Sequence, residues 1–139
     1  MLAAANEEAQ SSGSPPLLLG VTALTSLSEE DVKILGFPGS VELWVERLAT
    51  IAYDAGIPGI VASSKELSML RRKFWDKLQF VVPGIRPAGT ATQDQARTAT
   101  PGDAIRAGAS YIVVGRPILQ APDPAGAADA IVEDIRQAC

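Results

Sequence analysis

Two short segments carry residue types suited to gripping a phosphate. Pro83-Gly84-Ile85-Arg86-Pro87 fixes one cation between prolines, behind a glycine that lets backbone approach a ligand closely. Val114-Gly115-Arg116-Pro117 joins backbone N–H exposed at Gly115 to the planar donor fork of Arg116, a pairing that fits a phosphate dianion. Alone, each segment is also what a turn with a solvated arginine produces. Gln95 carries an amide able to donate to the same anion, although by itself it is an ordinary polar loop residue. The chain has no histidine and one cysteine, the terminal Cys139. A Ser-His-Asp triad, an internal disulfide and a Cys-rich metal site are therefore excluded, and no metal is expected. Chemistry must come from Lys, Arg, carboxylates or backbone.

The elements that must position these loops follow from the patterning. Apolar runs at Leu17 to Thr22, Gly59 to Ser63, Gln79 to Pro83 and Ser110 to Gly115 predict four strands, the first suited to burial on both faces. Helices are predicted between them. One starts at the Ser28 cap with an acidic first turn and ends by Gly36 and Pro38; one starts at Ser40, with Val41, Trp44, Val45, Leu48, Ile51 and Ala52 as an apolar stripe. Ser64 to Phe74 forms the next, with Lys65, Glu66, Arg71, Arg72 and Lys73 on its exposed face. Pro101 to Gly108 bounds another, and Pro124 to Gln137 forms the last, with Ala128, Ile131, Val132 and Ile135 on one side. Alternating strands and helices predict a parallel α/β sheet, doubly wound or barrel, with the loops at the strands' carboxyl ends as the ligand side. Arg86 and Arg116 then sit in successive strand-end loops of one sheet, which strengthens the phosphate reading. Residues 1–16 read as a helix remnant and linker, and 17–139 as the phosphate-binding unit.

The 139 residues suffice for one modest core. A net charge of −4 argues against nucleic acid as a partner. Without a secretory signal or an apolar run of membrane-spanning length, the protein is expected to be cytoplasmic, with no membrane partner.

Taken in order, GVTALTS (Gly20 to Ser26), GIVAS, VVPGIRPAG with DQAR (Val81 to Arg97), TPGDAI and YIVVGRPILQAPDP resemble orotidine 5′-phosphate decarboxylase, from about Leu17 to the C-terminus. The resemblance implies a (β/α)8 barrel and a cofactor-free lyase that converts orotidine 5′-monophosphate to UMP and carbon dioxide. It implies a substrate-binding set of Thr25 beside the pyrimidine, Arg86, Gln95, Gly115 and Arg116, with Gln95 and Arg116 at the phosphate. A homodimer is expected of the full-length protein. Related barrels act on sugar phosphates; the LTS motif and the loop carrying Gln95 favour the pyrimidine nucleotide.

The resemblance covers only the second half of such a barrel. The family's Asp-x-Lys-x-x-Asp motif and its further substrate-contacting lysine lie on strands that this chain does not contain, so no catalytic residue is assigned. Asp31-Val-Lys33 begins like that motif, but Gly36 stands where its last aspartate belongs, and the segment reads as a capped helix start. The opening helix, with no strand before it, fits a piece of a longer product that begins in the helix after the fourth strand. Decarboxylation is expected only with the missing half. The alternative is a non-catalytic nucleotide-binding half-barrel that works as a dimer or interaction module.

Overall fold

The computed structural model describes residues 1–88 and 97–139. Helix α1 (Leu2–Ser11) lays Leu2 against the core and buries Ala9. Then follow β1 (Leu19–Val21), α2 (Glu29–Ile34), α3 (Val41–Asp54), β2 (Gly59–Val61), α4 (Ser64–Phe74) and β3 (Gln79–Val82). The chain closes with α5 (Pro101–Arg106), β4 (Tyr111–Ile112), the short α6 (Arg116–Leu119) and α7 (Pro124–Arg136). Each strand is shorter than its apolar run. Residues beyond the ladders serve other ends: Ser63 caps α4 by accepting from the Lys65 N–H, and the Ser110 hydroxyl accepts from the Phe80 N–H at 3.1 Å.

The strands pair in parallel in the order β1-β2-β3-β4. A doubly wound sheet reverses its strand order at a switch point, whereas a barrel adds each strand beside the last. The observed order is the barrel's, and it resolves what spacing alone leaves open. With right-handed crossovers, consecutive addition puts the helices on one face. The side chains on that face are sealed, with Ile60, Phe80 and Val82 at 0% exposure among Val45, Ala49, Leu67 and Leu70. Gly20 belongs to this face because a Cβ there would stand 2.9 Å from the Ala52 Cβ of α3.

The opposite face differs. Val21, Val61, Val81 and Tyr111 lie in one register row, and the two at the sheet's edges, Val21 and Tyr111, are exposed. Leu19 and Val113 are exposed as well. The expectation that β1 is buried on both faces is therefore corrected. Its Gly20 side is covered by α3, but on its other side Leu19 and Val21 remain 40% and 59% exposed. Smaller departures concern helix faces: Ile51 and Val132, assigned to apolar stripes, are exposed. Among the described residues no helix is long and apolar enough to cross a membrane.

Candidate nucleotide site

Both arginine loops leave the same end of the sheet. After β3, Gly84 adopts a φ of +74°, which glycine accepts without strain, and turns the chain so that Ile85 bridges Ala99. The Arg86 N–H donates to the Ala99 carbonyl at 2.8 Å, while its Nη1 donates to the Ile85 carbonyl at 2.7 Å, so the half-buried side chain is held close to its own backbone. After β4, the Val113 N–H donates to the Val82 carbonyl at 2.9 Å, carrying the parallel contact past the end of the strand. Gly115 then opens α6, exposed and with nothing within 4 Å of the place a Cβ would occupy.

The structure brings Arg86 and Arg116 to one cavity of about 620 Å³, walled also by Pro87, Pro117, Thr100, Gln120 and part of α7. Its carboxylate, Asp134, accepts from the Gly102 N–H at 2.9 Å and thereby ties α7 to the start of α5. Two guanidinium groups with hydroxyl and amide neighbours suit a phosphate dianion. Among the described residues no lysine lines the cavity, so its cationic groups are guanidinium groups and not ammonium groups. Gly115 adjoins Arg116 in the chain. Thr25 is buried in the loop after β1 and is not part of this wall. Gln95 and its neighbour Asp94 lie outside the described residues.

Two charged groups occupy places that sequence patterning misassigned or passed over. Glu66, placed on the exposed face of its helix, is buried, and Arg97 is buried against it. Arg97 Nη1 donates to Glu66 Oε1 at 2.7 Å, and Nη2 donates to the carbonyls of Ala23 at 3.2 Å and Leu24 at 2.7 Å. The one available clue was position: Glu66 falls in the first turn of α4, at the carboxyl end of β2, the end of the sheet from which the arginine loops also leave. By contrast, Asp31 caps a helix start, as its sequence context predicts. Its carboxylate accepts from the Ser28 N–H at 2.8 Å and from the Ser28 hydroxyl at 2.6 Å, completing a capping box. Those bonds hold its pKa below the ordinary carboxylate value. Asp103 is lowered likewise by a hydrogen bond from Arg106, and then by one from Thr100. Among the described residues no group of three His, Cys, Asp or Glu side chains could hold a metal ion.

Over residues 1–131 the sequence matches the family described as orotidine 5′-phosphate decarboxylase / HUMPS. The chain belongs to that family. It is 50% identical to the orotidine 5′-phosphate decarboxylase of Syntrophotalea carbinolica, across 89% of this chain and 51% of that protein. It is 44% identical to the Hahella chejuensis enzyme of the same name, across 97% and 58%. Among solved structures, the orotidine 5′-phosphate decarboxylase of Lactobacillus acidophilus superposes with a TM-score of 0.80 at 34% identity, covering 97% of this chain and 58% of that one. The chain thus spans about half the length of the decarboxylases it matches, and its sheet corresponds to half of a TIM barrel.

Proposed function

We propose that this chain is the nucleotide-gripping half of an orotidine 5′-phosphate decarboxylase, competent only when joined to the half that carries Asp-x-Lys-x-x-Asp. The observation that carries the reading is the convergence of Arg86 and Arg116, from successive strand-end loops, on one cavity. In the reaction the bond from C6 of the pyrimidine to the carboxylate breaks, carbon dioxide leaves, and the lysine of the complementary half protonates C6. The arginines of this chain hold the phosphate, remote from the reacting carbon, and supply binding energy that is realised in the transition state. Gly115 backbone and the Gln95 amide complete the phosphate side, and Thr25 sits beside the base. In the assembled protein the compartment is cytoplasmic and the active unit a homodimer.

The test is reassembly. Coexpression of this chain with the first half of the Syntrophotalea carbinolica relative is expected to give decarboxylation that neither half shows alone. An assembly that forms but binds no UMP, or decarboxylation by this chain by itself, refutes the proposal. Within the assembly, Arg116→Ala is expected to weaken UMP binding by about 1.5 to 3 kcal/mol, the scale of hydrogen bonds to a charged group. Arg136→Ala, on a side chain 73% exposed at the end of α7, should change it little. Equal affinities for the two variants would remove Arg116 from the site.

The exposed edge residues Val21 and Tyr111 favour a second reading, a half-barrel that pairs with its own copy and binds nucleotide without chemistry. A soluble dimer of the isolated chain whose melting temperature rises with UMP supports that reading; aggregated or molten material refutes it.

A further inference from the structure

We propose that Arg97 is the positioning residue of the base side of the nucleotide site, a role that rests on the decarboxylase reading above. Its guanidinium joins three successive strand-end segments. Arg97 itself belongs to the connection after β3, Glu66 to the start of α4 directly after β2, and the carbonyls of Ala23 and Leu24 to the loop after β1. The last two residues precede Thr25. At the root of that loop, Thr22 is fixed to β2, its N–H and its hydroxyl both donating to the Val61 carbonyl, at 3.2 and 2.7 Å. Beyond that root, Arg97 Nη2 holds the two carbonyls leading into Thr25, and Leu24 also accepts from the Leu27 N–H at 3.0 Å. The planar fork suits this task, since it can meet a carboxylate and two carbonyls in one rigid arrangement.

Stability alone does not account for the pair. Side-chain exposures of 8% for Arg97 and 5% for Glu66 mean that both charges are stripped of water. Glu66 Oε2 and Arg97 Nε have no hydrogen-bond partner among the described residues, so desolvation is incompletely offset. Replacing a buried ion pair by apolar residues of similar volume is often neutral or stabilising, but here it would leave the Ala23 and Leu24 carbonyls without the Arg97 donor. What the charged pair adds is a fixed position for the loop that carries Thr25.

The experiment uses this chain assembled with the complementary half and compares UMP with ribose 5-phosphate, which lacks the base. Arg97→Met tests the contact. The double variant Arg97→Met/Glu66→Met keeps the fold testable by leaving no unpaired buried charge. Expected for the double variant is a melting temperature near the parent's and a UMP affinity lowered by about tenfold, the weight of one hydrogen bond or slightly more, while ribose 5-phosphate affinity changes by less than about twofold. Faster amide exchange at Leu24 and Thr25, with Ile60 and Phe80 unchanged, accompanies it. Loss of affinity for both ligands alike, an unchanged ratio between them, or a double variant that cannot fold would each overturn the positioning role alone. A parent assembly that does not distinguish UMP from ribose 5-phosphate would overturn the nucleotide reading and this role with it.

Discussion

The two faces of the sheet are made of the same residue types and have different fates. Phe80 and Val81 are neighbours in β3, the first fully sealed under α4 and its neighbours, the second on the row whose ends, Val21 and Tyr111, are open. The helix-facing side is a finished core because each crossover helix closes over its own strands within this chain. On the inner side Val81, at the middle of the row, is buried, Val61 is half-buried, and only the edge residues Val21 and Tyr111 stand open, as in a barrel lumen lacking its flanking strands. Sheet closure is a property of the strands that flank β1 and β4, whereas helix-on-sheet packing is local.

This asymmetry can be broken by mutation, and the largest effect lies on the finished face. Phe80→Ala is expected to cost about 3 to 5 kcal/mol in urea unfolding of the assembled protein, through lost burial and the cavity left behind. Val21→Ala, tested in the isolated chain if that chain unfolds cooperatively, should cost less than about 0.5 kcal/mol, because Val21 is 59% exposed there. In the assembly the second figure should rise toward that of a buried valine. A cost for Val21→Ala that is the same in both states would mean that the inner face is not filled by the complementary half.

Two glycines sharpen the contrast at smaller scale. At Gly20 a methyl group would stand 2.9 Å from the Ala52 Cβ and 3.3 Å from Ile60 Cδ1, so Gly20→Ala should push α3 off β1 and cost about 1 to 3 kcal/mol. At Gly115 the same methyl group meets nothing within 4 Å and the backbone φ is −109°, so Gly115→Ala should leave stability within about 0.5 kcal/mol of the parent. Thermal melts of the two variants check this. Similar shifts for both would show that the helix layer has more give at Gly20 than its contacts imply.

The same division explains what could be read in the sequence. Helix starts were legible because capping is local: Ser28, Ser40, Ser63, Thr100 and Asp123 each accept a backbone N–H from two or three residues ahead. The parallel sheet was legible from apolar runs set between such helices. That Arg86 and Arg116 come to one end of the sheet was legible from their places in successive strand-end loops, and the two line one cavity. The position of Glu66 was hidden, since a glutamate between Lys65 and the basic end of α4 has the pattern of a solvated face. Its partner Arg97 stands 31 residues away, and periodicity carries no information on such a pairing. The exposure of Leu19 and Val21 was hidden for the opposite reason: they have the composition of a buried strand, and composition does not show whether a neighbour lies beside an edge strand.

The smallest expected effect is on acid stability, and it too falls on the helical layer. Among the described residues, Asp31 on α2 and Asp103 on α5 are held below their ordinary value of 3.8, the first by Ser28, the second by Arg106 and then Thr100. A carboxylate whose pKa is lower in the folded state stabilises the fold above its unfolded pKa, and that contribution disappears as pH falls through the folded value. Melting temperature should therefore show no loss from these groups between neutrality and about pH 4, then fall with further acid. Because both side chains face solvent, salt should weaken the effect. Asp31→Asn retains an acceptor for the Ser28 N–H without the titrating charge, so its acid limb should be shallower than the parent's while its neutral melting point drops slightly. Melts of both proteins through the acid range at low and high salt decide the matter, and superimposable acid limbs would show that the capping box of α2 carries no measurable charge coupling.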